Sequence, residues 1–121
     1  MIKMIAILKR KTGMSMEDFK RHYDTSHVPL VSGIMGKYLK AYVRNYSDGA
    51  SPFPVGKPNE FDCVTEFHYD SMEDLLAAAA EIEKPENAPL VRADELRFLD
   101  IDNVVVFVAN TRDNRDGVFG G

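Results

Sequence analysis

Apolar residues recur at spacings of three and four in the first third of the chain, which is the pattern of one buried helix face. The positions that share this face are Met16, Phe19, Tyr23, His27, Leu30 and Ile34. Ser15 is suited to cap the helix, and Asp18 three residues later favours the positive end of the helix dipole. The pattern therefore predicts a helix over residues 15–30.

His27 lies on this apolar face, two residues before Pro29. Because a proline disfavours helical geometry at the residue before it, the chain is expected to turn at Val28. A titratable imidazole at the edge of an apolar surface can act as the acid or base of a small cavity. The alternative is a core histidine that donates one hydrogen bond to a carbonyl. The end of a helix would favour the charged imidazole, whereas burial would favour the neutral one.

Two copies of one short sequence define the order of the elements. S-M-E-D-F begins at Ser15 and S-M-E-D-L at Ser71, and each copy follows a strand-like run and opens a helix-like one. The second helix covers residues 72–82 and ends before Pro85. Runs rich in β-branched and aromatic residues predict strands over 2–9, 39–46, 61–69 and 104–109. This order predicts an α+β chain with a ferredoxin-like βαββαβ protomer, which has an antiparallel four-stranded sheet with helices on one face.

Three segments lie outside this minimal pattern. Residues 47–60 hold two glycines and three prolines and form a long loop, which is typical of a functional lid or a mobile linker. Residues 84–103 form an acidic extension with a helix predicted over 89–99, and this extension walls either a pocket or a subunit edge. One domain is expected over 1–110, with an irregular tail over 111–121.

The predicted sheet is apolar on both faces. The last strand reads V-V-V-F-V from Val104 to Val108, and right-handed crossovers place both helices on the same side of the sheet. The other side then needs a second sheet over it, which predicts a homodimer whose sheet faces pack together as a dimeric α+β barrel. The alternative is an open face that tolerates valine.

Length and charge restrict the class of protein. A chain of 121 residues with 45% hydrophobic content fits one compact domain, and a net charge of −4 argues against nucleic acid as a partner. No apolar run approaches the roughly 18–20 residues of a membrane span, so no membrane partner is expected. The single Cys63 excludes an intrachain disulfide, and charges at Lys3 and Lys9 interrupt any signal peptide. We therefore expect a cytoplasmic protein.

Cofactor motifs are missing from the sequence. Its three histidines lack metal-ligand spacing, and neither G-x-G-x-x-G nor a P-loop occurs. We therefore expect no metal and no cofactor.

Two motifs resemble those of a known family. Residues Lys9 to Leu30 read K-R-K-x-G-M-S-x-E-D-F-x-x-H-Y-x-x-x-H-x-P-L, and Asp94 to Asp100 read D-E-L-R-F-L-D. Both are similar to the EthD family of small dimeric α+β barrel proteins, and the resemblance covers most of residues 2–109. It implies a dimer built through the sheets, a pocket between sheet and helices, and a functional role for His27 of the H-x-P-L motif. Some barrel relatives bind haem, which leaves haem at His27 as a minor alternative.

Several polar residues are candidates for a site with His27. Tyr23 shares its helix face and is predicted to contact the substrate. In the second strand, period-two alternation places Tyr38, Tyr42, Arg44 and Tyr46 on one face. A Tyr42 phenol can donate to a substrate carbonyl or enolate, and Arg44 can hold a carboxylate unless it forms a surface ion pair. His68 shares the more polar face of the third strand with Glu66 and is a further candidate.

Together with the resemblance, which implies lactone, aromatic or polyketide-like substrates, these residues predict a cofactor-independent enzyme for a small metabolite. The expected chemistry is proton transfer that leads to isomerisation, dehydration or decarboxylation. His27 would move the proton, Tyr42 would stabilise the oxyanion, and the 47–60 loop would close over the substrate. The alternatives are a non-catalytic accessory protein that binds a ligand in an oxidative degradation pathway, and a cofactor-free oxidoreductase of the monooxygenase type. The fold does not choose among them.

Overall fold

A computed structural model describes residues 1–113 and 115. Within these residues, the segments with apolar patterns form four strands and four α-helices. In chain order the elements are β1 (Ile2–Leu8), α1 (Met16–His22), α2 (Val28–Met35), β2 (Ala41–Tyr46), β3 (Cys63–Tyr69), α3 (Met72–Ile82), α4 (Ala88–Phe98) and β4 (Val105–Asn110). A π-helical turn (Tyr23–His27) joins α1 to α2, and a 3₁₀ turn (Ile101–Asn103) precedes β4. Most of the tail predicted over 111–121 lies outside the described residues.

The four strands pair antiparallel in the order β2-β3-β1-β4, which confirms the predicted ferredoxin-like topology. Alternation along each strand assigns its side chains to two faces. Ala6 of β1 stands opposite Thr65 and faces the helices, whereas its neighbour Ile5 stands opposite Phe107 on the other face. No helix among residues 1–113 and 115 covers that second face, which is called the open face below.

The repeated S-M-E-D sequence forms two helix caps. The Ser15 hydroxyl accepts a hydrogen bond from the Asp18 amide at 3.1 Å, and the Ser71 hydroxyl accepts one from the Asp74 amide at 3.1 Å. Each cap satisfies an amide at the start of a helix, which is worth about 1 kcal/mol. The repeat therefore fixes where α1 and α3 begin.

The first helix does not end at Pro29, so the predicted break there is wrong. Pro29 has no amide hydrogen to donate, and in a regular α-helix its ring would clash with the carbonyl four residues earlier. The chain avoids the clash with the wider π-helical turn, in which the Val28 amide donates to the Tyr23 carbonyl. The helix then continues to Met35. His27 consequently lies within a continuous helical path and not at its C-terminus.

The π-helical turn also moves the buried stripe by one residue. Phe19, Tyr23 and His27 are buried as predicted, whereas Met16 at the start of the stripe is half-buried. Beyond it, the buried positions are Val31 and Met35, whereas Leu30 and Ile34 are half-buried. An α-helical period applied across the whole segment therefore misplaces its second half by one residue.

The helix predicted in the acidic extension is α4, and backbone hydrogen bonds fix its end to the turn after β1. The Lys11 amide donates to the Phe98 carbonyl at 2.9 Å, and the Asp100 amide donates to the Lys9 carbonyl at 2.8 Å. Phe98 is fully buried against α1 and β1. These contacts hold α4 across the π-helical turn, where its side chains meet those of the first helix.

The edge strand β4 is exposed on both of its faces. Val106, on the helix side, is 54% exposed, and Phe107, on the open face, is 46% exposed. The helical layer therefore stops short of this edge. Within the described part of the chain, the helices are too short or too polar to cross a membrane.

Candidate active site

Three side chains of the first helical segment converge on one buried carboxylate, that of Asp94 in α4. Nδ1 of His27 lies 2.9 Å from Oδ2 of Asp94, and Nε2 of His22 lies 3.1 Å from Oδ1. The Ser26 hydroxyl also donates to Oδ1, at 2.9 Å. Asp94 is only 5% exposed and His27 only 6%. The burial of a carboxylate is costly, and hydrogen bonds from these partners offset the cost.

The π-helical turn makes this convergence possible. Residues five apart point about 140° away from each other around an α-helix, so His22 and His27 would not share a face. In a π-helical turn, hydrogen bonds link residues five apart, and the smaller rotation per residue brings such positions closer together around the helix axis. The α-helical period places His22 away from the stripe, which is why its contact with Asp94 was not predicted.

The surroundings of the pair favour a neutral imidazole beside a charged carboxylate. Burial lowers the pKa of His27 below its usual value and outweighs the hydrogen bond to Asp94. Burial alone would raise the pKa of Asp94, but the hydrogen bonds from Ser26 and His27 lower it on balance. Since a carboxylate only accepts hydrogen bonds, the imidazole hydrogen belongs on Nδ1, and Nε2 keeps its lone pair.

His27 borders a cavity of about 360 Å³ between the sheet and the helices. Asp94 holds Nδ1 and does not line this cavity, so the Nε2 edge of the ring faces it. Nε2 has no hydrogen-bond partner among residues 1–113 and 115. The apolar and aromatic side chains around it include Leu8, Tyr23, Tyr42, Phe67, Phe98 and Val106. A free imidazole lone pair in such surroundings has the placement of a general base.

The acidic extension walls this cavity, which answers the question that the sequence left open. Arg92, Glu95, Phe98 and Leu99 all contribute to the lining, whereas residues 47–60 contribute none. A second cavity of about 190 Å³ shares His27, Phe67 and Glu95 with the first. Asp94 and Glu95 were not predicted as site residues, although both stand in the D-E-L-R-F-L-D motif.

A chain of hydroxyl groups runs from the cavity into the sheet. Tyr42 O–H lies 2.9 Å from the hydroxyl of Tyr23, which lies 2.7 Å from Oγ1 of Thr65. Burial raises the pKa of Tyr23 and of Tyr42. Both phenols are therefore hydrogen-bond donors and not bases. The structure thus brings together the predicted residues His27, Tyr23 and Tyr42.

Arg44 lies near this group but is held by another partner. Its Nε lies 2.9 Å from Oδ1 of Asp24, and the Tyr46 hydroxyl donates to the same oxygen at 2.6 Å. The Arg44 guanidinium lies 5.5 Å from the centre of the Tyr42 ring. Arg44 forms the ion pair that was the alternative to substrate binding, and it does not line the cavity. Tyr38 was predicted on the same strand face, but it lies in the turn before β2.

His68 does not join the site because it lies on the open face. Its Nε2 is 3.0 Å from Oε1 of Glu66, which also accepts a hydrogen bond from Lys3 at 2.9 Å. Hydrogen bonds from Lys3 and from Asn45 lower the pKa of Glu66 to about 2. The sheet separates this charged cluster from His27.

A larger groove of about 630 Å³ lies between the turn after β1 and residues 59–62. Of the three basic residues that line it, Arg10 is already engaged, because its amide donates to Asp62 at 2.8 Å and its guanidinium lies 3.7 Å from the same carboxylate. No group of three or more metal-ligating side chains is placed to hold an ion in the described residues. The His27 cavity therefore remains the candidate site.

Comparison with known proteins assigns the family. The family model of the EthD domain matches residues 11–102, which include both His27 and Asp94. The chain belongs to the EthD domain family. An EthD relative from Metarhizium robertsii, named a conidial pigment biosynthesis dehydratase, is 29% identical over 100 residues, covering 75% of this chain and 68% of that protein.

Solved structures of low sequence identity share the fold of this EthD protein. An ethyl tert-butyl ether degradation (EthD) family protein from Bacillus halodurans has a TM-score of 0.67 at 22% identity, covering 93% of this chain and 99% of its own. A dimeric ferredoxin-like protein of unknown function from Thermobifida fusca has a TM-score of 0.62 at 16% identity, covering 91% and 90%. Both confirm the α+β ferredoxin-like class.

Proposed function

We propose that this EthD-domain protein is a cofactor-independent dehydratase that removes water from a small cyclic hydroxyketone of the polyketide-like class. One observation carries the proposal: a neutral imidazole, fixed at Nδ1 by a buried carboxylate, presents Nε2 to a largely apolar cavity. The dehydratase name of the Metarhizium robertsii relative favours loss of water over isomerisation or decarboxylation.

In this proposal His27 is the general base. Nε2 takes a proton from the carbon next to the substrate ketone, and Asp94 stabilises the imidazolium that forms. Asp94 is a positioning residue, since it acts through the imidazole and does not touch the substrate. Apolar walls strengthen these interactions because they exclude water from the reacting atoms.

Tyr42 is proposed to stabilise the enolate oxygen that develops on the ketone. The hydrogens of three linked hydroxyls can point in either direction along the chain. In the structure Tyr42 donates to Tyr23. Once substrate binding reverses this bond, so that Thr65 donates to Tyr23 and Tyr23 donates to Tyr42, the hydrogen of Tyr42 is free for the substrate. A donor aimed at a developing oxyanion contributes to the rate because the negative charge grows in the transition state.

The test uses 3-hydroxy-1-tetralone, a cyclic β-hydroxyketone whose dehydration product tautomerises to fluorescent 1-naphthol. We expect wild-type protein to form 1-naphthol, and His27→Ala to slow this at least about 100-fold, since a general base contributes about 10²- to 10⁴-fold. His22→Ala is the matched control, because His22 contacts the same carboxylate but does not line the cavity. It should lose less than tenfold. Equal rates for His27→Ala and wild type would disprove the proposal.

We also propose that the open face packs against a second copy of the chain. Val105 and Phe107 expose apolar surface there, at 44% and 46% of their areas, and the solved relative from Thermobifida fusca is described as dimeric. Burial of this surface against the same surface of a partner would give a symmetric dimer. The cavity lies on the other side of the sheet, so each copy keeps its own site.

A further inference from the structure

Glu95 lines the cavity but has no role in the proposed function, in which Asp94 is the carboxylate that holds His27. It follows Asp94 directly in α4, and it lines both cavities that His27 lines. Its Oε1 atom is buried and has no hydrogen-bond partner in the described part of the chain. Arg92 Nη1 lies 3.2 Å from this oxygen, but the geometry makes no hydrogen bond and the Arg92 side chain is 62% exposed.

The surroundings of Glu95 raise its pKa above the ordinary value. Burial raises the pKa of Glu95, the negative charges of Glu83 and Asp94 add to this, and the charge of Arg92 opposes it. Burial has the opposite consequence at His27, where it favours the neutral base. In one cavity, burial thus shifts the pKa of Glu95 towards the acid form and the pKa of His27 towards the free base, which are the directions that an acid–base pair requires.

We infer that Glu95 is the general acid of the proposed dehydration and gives its proton to the hydroxyl group that leaves the substrate. The inference rests on the proposed function and adds a second catalytic residue to it. Two consecutive residues of α4 then have separate tasks: Asp94 orients the base, and Glu95 supplies the acid.

The step balances without any further reactant. His27 Nε2 takes the proton next to the ketone, and the electron pair of that C–H bond becomes the new C=C bond. The C–O bond to the β-hydroxyl breaks, and its oxygen takes the proton of Glu95 and leaves as water. The imidazolium of His27 then returns its proton to the Glu95 carboxylate through solvent, which restores both groups.

Exchange of substrate protons separates the two roles. 1-Tetralone lacks the β-hydroxyl, so in D₂O the base can exchange its α-protons although no group can leave. This exchange requires His27 but no acid for a leaving hydroxyl. Glu95→Gln should therefore lower dehydration of 3-hydroxy-1-tetralone at least about 100-fold and exchange in 1-tetralone by less than tenfold. His27→Ala should lower both.

Glu73→Gln is the matched control, because Glu73 is an exposed glutamate of α3 that lines neither of the two cavities. It should change neither rate by more than about threefold. If Glu95→Gln dehydrates as fast as wild type, or loses exchange and dehydration equally, the role of Glu95 is overturned while the base function of His27 stands. If wild-type protein catalyses neither reaction, the proposed function fails together with this inference.

Discussion

Nδ1 of His27 lies 2.9 Å from Oδ2 of Asp94, and this contact decides which nitrogen faces the cavity. In Asp94→Asn the side-chain amide can donate to Nδ1, which moves the imidazole hydrogen to Nε2 and removes the base. We expect kcat to fall about 10²- to 10⁴-fold with a much smaller change in KM. The tautomer itself can be read from the ¹⁵N chemical shifts of the His27 ring.

Ser26→Ala provides the control for this prediction. The Ser26 hydroxyl donates to the other oxygen of Asp94, so its loss weakens the carboxylate's support without changing the contact to Nδ1. A fall in kcat of less than tenfold and an unchanged tautomer are expected. If Asp94→Asn kept the wild-type tautomer and rate, Asp94 would have only a structural role.

The pH dependence of stability should reveal the protonated state of Glu95. The pKa of Glu95 is raised above the ordinary 4.5 in the folded chain. At a pH between these two pKa values, the folded chain therefore holds a proton that the unfolded chain has lost. Stability is therefore lost as the pH rises from 4.5 through the raised pKa. The side chain of Glu95→Gln cannot ionise. The free energy of unfolding of this variant, relative to that of wild type, should therefore be higher at pH 7 than at pH 4. Urea unfolding at pH 4 and at pH 7 measures this change, with Glu73→Gln as the control. If the free energies of unfolding of Glu95→Gln and wild type differed by the same amount at pH 4 and at pH 7, the prediction would be contradicted.

The hydroxyl groups of Tyr23 and Thr65 lie 2.7 Å apart inside the core, so the two residues should be coupled energetically. Thr65→Val keeps the shape of the side chain but leaves a buried phenol with one partner fewer, which costs about 1–3 kcal/mol. Tyr23→Phe removes the other member of the pair. In the double variant the loss should be smaller than the sum of the single losses by about 0.5–3 kcal/mol. Additive losses in urea unfolding would show that the contact contributes nothing.

Subunit association should depend on the open face. Phe107→Glu places a charge on the apolar surface proposed to meet a second copy. We expect sedimentation to show a dimer for the wild-type protein and a monomer for this variant. Leu76→Glu is the matched control, since Leu76 is 61% exposed but lies on α3, on the other side of the sheet. It should sediment as wild type does. Unchanged sedimentation of Phe107→Glu would rule out the proposed interface.

Local signals in the sequence were sufficient for the element order. The Ser15 and Ser71 caps, and the apolar strands, depend on neighbours a few residues away, so their patterns could be recognised directly. Alternation also separated the two faces within each strand, and it placed His68 opposite in phase to Phe67. Alternation does not say which face the helices cover, and for that reason His68 was retained as a candidate.

The missed residues depend on distant parts of the chain. Asp94 meets His27 across 67 positions of sequence, and its partner His22 reaches it only because of the π-helical turn. A period of 3.6 residues contains no signal for a turn closed five residues back. Pro29 was recognised as incompatible with a regular α-helix, but the chain resolves that conflict by widening the helix and not by ending it.

The widened turn holds one residue more than the α-helical path it replaces. A residue of this kind cannot be acquired by substitution, since it is gained or lost as a whole codon. Deletion of Thr25 would restore the regular repeat and rotate the helix from His27 onward by about 100° relative to α1. When EthD sequences are aligned, a gap between Tyr23 and His27 should therefore be interpreted as the loss of the carboxylate-bound imidazole, even where the histidine itself is retained.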